Sequence, residues 1–276
     1  MTTNPEIGLS IDTCGYLTNY HDVGNGPTII LLHGSGPGVS GWANWRGVIP
    51  HLSKHYRVII PDQVGFGYTS EPDDFHYQFM TSWIDQISAL IENLNLEHVC
   101  LVGNSFGGAV ALAMAIARPD LIKRLVLMGA VGTPFQLTTE LDQIWGYTPS
   151  FDAMKSMLDV MAFDRNIVTD ELAELRYRAS LRQGVQQRYE KLFPAPRQRW
   201  LDTISQTFSD IEAIQQPTLI LHGRDDRVIP LSTSLTLHQL IPNSQLHVFG
   251  QCGHWTQIEK ADDFIKLVRD FASEPL

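Results

Sequence analysis

The chain has 276 residues, 43% of them hydrophobic, and a formal net charge of -10 at pH 7. That length supports a large core built as one α/β domain with an insertion. The acidic balance, with no concentrated basic patch, excludes nucleic acid and anionic membranes as partners. No apolar run approaches the roughly 18 residues of a membrane-spanning helix. The opening Met-Thr-Thr-Asn-Pro-Glu lacks a basic region leading into an apolar one, so neither secretion nor membrane insertion is expected. Three widely spaced cysteines, Cys14, Cys100 and Cys252, with no C-x-x-C pair, argue against a disulfide framework or a structural zinc site and point to a reducing cytoplasm.

In chain order, residues 8–11 and 16–21, around a Gly15 turn, are expected to form an antiparallel pair at one sheet edge. Apolar, β-rich runs at 28–32, 57–60, 99–102, 124–128, 217–221 and 245–249 then alternate with helical patterns at 42–52, 81–94, 106–118, 232–240 and 261–272. Strands separated by helices imply a parallel sheet covered on both faces. The interval after residue 132 breaks the rhythm, with helical patterns at 137–145, 151–163, 169–183 and 197–208 punctuated by prolines. The fold class is therefore α/β, a mostly parallel eight-stranded sheet with an inserted helical cap. The expected boundaries are a core of 1–133 and 209–276 and a cap of 134–208 over the sheet's carboxyl edge, where open α/β sheets bind ligands.

The chemistry concentrates at Gly103-Asn-Ser-Phe-Gly-Gly108, where a buried apolar strand breaks into a glycine-flanked serine and resumes as a helix. This is the pattern of a nucleophile elbow, a strained turn that presents the Ser105 hydroxyl at a strand's end. A serine needs a base to take its proton, and the base needs a carboxylate to hold its tautomer. Two acids, Asp225 and Asp226, follow the run 218–221, and His254 follows the run 246–249. Serine, acid, histidine is the chain order of the α/β-hydrolases. Donors for an oxyanion come from the glycine-rich segment after the first parallel strand, His33-Gly-Ser-Gly-Pro-Gly38; the backbone amides of Ser35 and Phe106 are the candidates. That segment lacks the G-K-[ST] ending of a phosphate loop. On its residues alone, Arg176 reads as one of an exposed helix's surface pairs with Glu174 nearby, and Asn104 reads equally as a loop-shaping hydrogen bonder.

The chain resembles the α/β-hydrolases over nearly its full length and, more narrowly, the meta-cleavage product hydrolases of bacterial aromatic degradation. The motifs that carry this are His33-Gly-Ser-Gly-Pro-Gly38, Trp42-Ala-Asn-Trp45, Gly103-Asn-Ser-Phe-Gly-Gly108, Ala173-Glu-Leu-Arg-Tyr177, Phe193-Pro-Ala-Pro-Arg-Gln-Arg-Trp200 and Gly250-Gln-Cys-Gly-His-Trp-Thr-Gln-Ile-Glu259. The resemblance selects Asp226, four residues before Pro230, and leaves Asp225 a local role. It implies 2-hydroxy-6-oxo-2,4-dienoate substrates split at a carbon–carbon bond into 2-hydroxypenta-2,4-dienoate and a carboxylic acid. The substrate's 2-oxo group, formed on ketonisation, is its own electron sink, so no metal or organic cofactor is expected. Asn44, Asn104 and Arg176 match the positions that hold the carboxylate and dienol end, and Trp255 lines the dienoate site. Val131 is expected to narrow a distal pocket, favouring hydrogen or small alkyl at C6, with 2-hydroxymuconate semialdehyde the first choice. Ser105 either forms an acyl-enzyme or helps activate water. A homo-oligomer, dimeric or larger, is also implied. Competing readings are a carboxylesterase or lactonase using the same triad and a non-enzymatic ligand receptor of the same fold; a dehalogenase or epoxide hydrolase would carry aspartate in place of Ser105.

Overall fold

The computed structural model describes residues 4–70, 72 and 76–274. Its eight strands are β1 (Leu9–Thr13), β2 (Tyr16–Val23), β3 (Thr28–Leu32), β4 (Arg57–Pro61), β5 (Val99–Asn104), β6 (Ile122–Met128), β7 (Thr218–Gly223) and β8 (Ser244–Phe249). They form one sheet in the order β1-β2-β4-β3-β5-β6-β7-β8. β2 pairs antiparallel with both β1 and β4, and every pairing from β4 to β8 is parallel. The sheet thus carries the expected antiparallel pair at one edge.

Strand alternation explains the two layers. Ile29 and Leu31 of β3, Val58 and Ile60 of β4, and Leu219 and Leu221 of β7 face one core, shared with Trp45, Leu52, Phe264 and Val268. Their neighbours Ile30, Leu32, Ile59, Leu101 and Ile220 face the other, shared with Trp83, Ile87, Val110 and Leu237. Since both faces of the parallel strands are buried, these segments read as continuous apolar runs. The first face is covered by α1 (Gly41–Trp45), α2 (Ile49–Leu52), α12 (Thr256–Glu259) and α13 (Ala261–Ser273). The second is covered by α3 (Thr81–Asn93), α4 (Phe106–Ala117) and α11 (Leu231–Leu240).

Between β6 and β7 the described chain is helical: α5 (Thr139–Trp145), α6 (Phe151–Met161), a short 3-10 turn at Arg165–Ile167, α7 (Asp170–Ser180), α8 (Val185–Leu192), α9 (Gln198–Ile204) and α10 (Phe208–Glu212). Thr138, Ser150, Thr169 and Thr207 each cap a helix, accepting a hydrogen bond from the amide three residues on, which satisfies a donor that the first turn leaves free.

Several helix boundaries depart from the sequence reading. The expected helix at 42–52 is two, because Pro50 has no amide proton and opens α2 rather than continuing α1. The expected helix at 169–183 ends at Ser180, and Gly184, at φ 78°, starts the additional helix α8. The pattern at 197–208 divides at Ser205, whose extended backbone ends α9. The helix that follows, α10, packs on α4 and α11, so the boundary expected at 208/209 falls within it.

Candidate active site

The loops after β3, β5, β7 and β8, four of the five adjoining parallel strands β3-β5-β6-β7-β8, supply the polar groups of the site. At the end of β5, Ser105 sits at φ 54°, ψ -115°, a conformation that costs a non-glycine residue on the order of 1–3 kcal/mol. The surroundings enforce it: the Ser105 amide donates to Met128 O at 2.9 Å, while its carbonyl accepts from Gly108 N at 2.9 Å and Val131 N at 3.2 Å. Glycine is required on both sides. A Cβ at Gly103 would lie 2.3 Å from Gly107 O, and one at Gly107 would lie 2.5 Å from the carbonyls of Leu32 and His33.

His254, in the loop after β8, donates from Nδ1 to Asp226 Oδ2 at 2.7 Å. A carboxylate only accepts, so the proton sits on Nδ1 and Nε2 is left for proton transfer. Asp226 is fixed through its other oxygen, which accepts from Val228 N at 2.8 Å and Ile229 N at 3.0 Å. Burial pushes the Asp226 pKa up, but the adjacent His254, then His222 and the Ile229 amide, outweigh it and hold it below the usual carboxylate value. Asp225 has the local role expected of it, lying beside Arg224 and accepting from Cys252 N at 3.3 Å.

The loop after β3 brings Ser35 to the same place. Its hydroxyl accepts from Trp145 Nε1 at 2.9 Å. Phe106 opens α4, so its amide has no intrahelical acceptor; its side chain turns away into an aromatic cluster with Phe66, Trp83 and Phe193. The loop is set by His33, fully buried, which accepts from Gln63 N at 3.0 Å on Nε2 and donates to Gly34 O at 2.8 Å from Nδ1. Burial lowers the His33 pKa to about 4, keeping this clamp neutral.

Ser105, His254 and Ser35 open onto one cavity of about 340 Å³. Asn44 on α1, Asn104 at the end of β5, Arg176 on α7 and Trp255 also wall it. Arg176 is not part of a surface pair: Arg178 takes Glu174 at 2.6 Å, and Arg176 instead donates to Gly38 O at 2.7 Å. Burial depresses its pKa, yet an arginine keeps its charge. Asn104 is buried and makes one long contact, Nδ2 to Met128 O at 3.4 Å. Asn44 Nδ2 is a buried donor with no partner among the described residues, as is the acceptor Gln257 Oε1 beside it. The remaining walls from α5 and α6 are apolar: Leu141, Ile144, Met157, Leu158 and Met161.

Val131 departs from its expected place. It is completely buried, packs into the core behind Ser105 and is not a wall of this cavity, because the hydrogen bond of its amide to the Ser105 carbonyl draws it under the elbow. Conversely, the sequence reading missed Glu6, Trp145, Gln257 and His222. Glu6 reaches the cavity from the start of the chain and accepts from Ser40 Oγ at 2.6 Å. His222, the last but one residue of β7, is wholly buried with its Nε2 3.6 Å from Asp226 Oδ2, and accepts from Ser234 Oγ at 2.7 Å. No group of three or more metal-ligating side chains occurs among the described residues.

Residues 27–261 match the family described as the alpha/beta hydrolase fold. The chain is 57% identical, over 97% of itself and 97% of the relative, to a 2-hydroxy-6-oxo-2,4-heptadienoate hydrolase of Pseudomonas putida. It is 53% identical, over 98% of itself and 95% of the relative, to a 2-hydroxymuconate semialdehyde hydrolase of a Pseudomonas species. The chain is a member of the meta-cleavage product hydrolases of the α/β-hydrolase fold. Solved structures agree: one such hydrolase, an alanine-to-valine variant, superposes with a TM-score of 0.97 at 54% identity, over 99% of this chain and 100% of that one. A second, from Pseudomonas fluorescens, in a serine-to-alanine form complexed with acetates, gives 0.96 at 54% identity, over 97% and 98%.

Proposed function

We propose that this enzyme hydrolyses the C5–C6 bond of 2-hydroxy-6-oxo-2,4-dienoates, with Ser105, His254 and Asp226 as its catalytic triad. The observation that carries the reading is the convergence in one cavity of Ser105 and His254 with an arginine and two asparagines, a set suited to an anion rather than a neutral ester. Arg176 and the unpartnered Asn44 Nδ2 take the carboxylate, Asn104 the dienol oxygen, and Trp255 lies along the diene. His254 Nε2 moves the enol proton to C5, which converts the dienol into a 2,6-dioxo form. Ser105, or water activated with it, then adds to C6, and the resulting oxyanion is held by the amides of Ser35 and Phe106, each such donor being worth on the order of 3 kcal/mol. Breaking the C5–C6 bond sends its electron pair through the C3–C4 double bond onto the 2-oxo group. Protonation gives 2-hydroxypenta-2,4-dienoate; the other fragment leaves as a carboxylic acid, directly where water has added, or after water hydrolyses the Ser105 ester where the serine has added.

The names of the relatives support hydrogen or methyl as the C6 substituent, with 2-hydroxymuconate semialdehyde the first choice. In this reading residues 134–208 act as a cap whose helices close the cavity. A reducing cytoplasm suits the free thiols Cys14, Cys100 and Cys252. A homo-oligomer suits β8, one of the sheet's two edge strands, whose outer ladder has no partner strand among the described residues.

The test mixes the purified enzyme with yellow ring-fission products carrying hydrogen, methyl, isopropyl or phenyl at C6 and follows loss of dienolate absorbance. Turnover is expected for the two smallest. No turnover of any of them alongside fast p-nitrophenyl ester hydrolysis would leave an esterase in place of this reading.

A further inference from the structure

The C-terminal turn of α6 is clasped by the loop of Asp226 and by the loop of His254 with the short helix α12 that follows it. Glu259 supplies most of the grip. Its Oε1 accepts from Gly253 N at 2.8 Å, and its Oε2 accepts from Phe163 N at 2.8 Å and Asp164 N at 2.9 Å, residues nearly a hundred positions away just beyond α6. His254 N donates to Met161 O at 2.7 Å. The approach is close enough that a Cβ at Gly253 would fall 2.7 Å from Met161 O. From the other loop Arg227, next to Asp226, donates to the carbonyl of Asp159 and so satisfies one of the carbonyls left free at a helix end. The helix held in this way presents Met157, Leu158 and Met161 to the cavity.

Building on the functional reading above, we propose that Glu259, assisted by Arg227, is a specificity-determining residue. It locks the wall formed by α6 to the loop of His254 and so limits the size of the group accepted at the apolar end. One carboxylate joins an apolar wall to the backbone beside the general base. Loosening it lets the wall retreat, so larger groups gain entry while the smallest lose their close fit against the reacting carbonyl.

Glu259→Gln keeps the size of the side chain but presents an NH2 where one set of amides now donates. The bonds lie near the surface, so the effect is several-fold rather than a hundredfold. The ratio of kcat/KM for the 6-phenyl over the 6-hydrogen dienoate should rise about fivefold, and Arg227→Gln should move it the same way. Rates are normalised by titrating the active serine with an organophosphate, so loss of folded protein cancels. A p-nitrophenyl ester series of increasing acyl length reads the same wall without any dienoate. A shift in the ester series with no dienoate turnover would therefore support the clasp while removing the carbon–carbon reading. Equal losses across all sizes, or ratios unchanged in both variants and both series, would overturn the proposal. Hydrogen exchange gives an independent readout: the amides of Gly253, Phe163 and Asp164 should lose protection together in Glu259→Gln, and unchanged protection would count against the clasp.

Discussion

In the proposed reading Arg176, with Asn44 and Asn104, sets an anion-cleaving site apart from a general esterase. A charge-assisted contact of this kind contributes roughly 1.5–3 kcal/mol. Arg176→Ala is accordingly expected to lower kcat/KM for the dienoate by about 10- to 150-fold while leaving a neutral ester within a few-fold, both followed by initial rates. Equal losses on the two substrates would argue against carboxylate anchoring. Asp226→Asn tests the other half of the site. The amide would present an NH2 to His254 Nδ1 or lose the Val228 and Ile229 amides, so kcat should drop on the order of 10³- to 10⁴-fold with little change in KM; a drop under tenfold would remove Asp226 from the triad. Ser105, the acid pair Asp225 and Asp226, and His254 were legible in the sequence because each lies in the loop after an apolar run, whereas Arg176, within α7, was reached through the family resemblance alone. Val131 was not legible, since the apolar residues after β6 look the same whether they wall a cavity or lie under the elbow. Glu6, Trp145 and Glu259 were hidden for another reason: each acts through a partner more than thirty residues away, at a contact made only once α1, α5 or α6 has docked.

At the scale of elements, the junction of β3, β5 and α4 is the part least able to change. Gly107→Ala places a methyl against two carbonyls of β3 and its following loop, and overpacking of that kind costs about 1–3 kcal/mol. It should lower the melting temperature and, by shifting the elbow, reduce turnover by more than the folded fraction accounts for; a folded variant with normal kcat would show that the close approach is not needed. The strands and layers could be read beforehand because burial on both faces makes β3 to β7 continuous apolar runs. Helix limits after β3 and between β6 and β7 could not, because Pro50 and Gly184 respectively interrupt sequences whose apolar spacing continues through them. Amphipathic spacing identifies a face to bury but does not say where the chain turns.

For the whole molecule, acid stability is set by buried groups that pull in opposite directions. His33 titrates near 4 when folded but near 6.5 when unfolded, so as pH falls the unfolded chain takes the proton first, and about 3 kcal/mol of stability is lost between those values. His222, lowered by burial, acts in the same sense. Asp62 is the reverse: burial raises it from 3.8 to about 6 despite amide donors from Tyr68 and Gly41, so the folded chain takes that proton first and gains a similar amount as pH falls. The two nearly cancel between pH 4 and 6, and below that the lowered Asp226 begins to cost stability as it protonates. Removing the opposing term in Asp62→Asn should make the urea midpoint climb more steeply from pH 4 to 6.5 than it does in the parent, where Asp62 offsets much of the rise; parallel profiles would sink this account. The division of labour across the cavity has a consequence for engineering. In the proposed reading the nucleophile and base stand at the sheet's edge, whereas the arginine proposed to read the anion stands on α7, within the same continuous stretch as the apolar walls of α5 and α6. Grafting residues 134–206 from a lipase, ahead of the α10 cap Thr207, would thus exchange the proposed charge reader and the size gauge in one piece, and the chimera should lose its preference for acids, read as the ratio of dienoate to neutral-ester kcat/KM, even though the sheet-borne residues are retained.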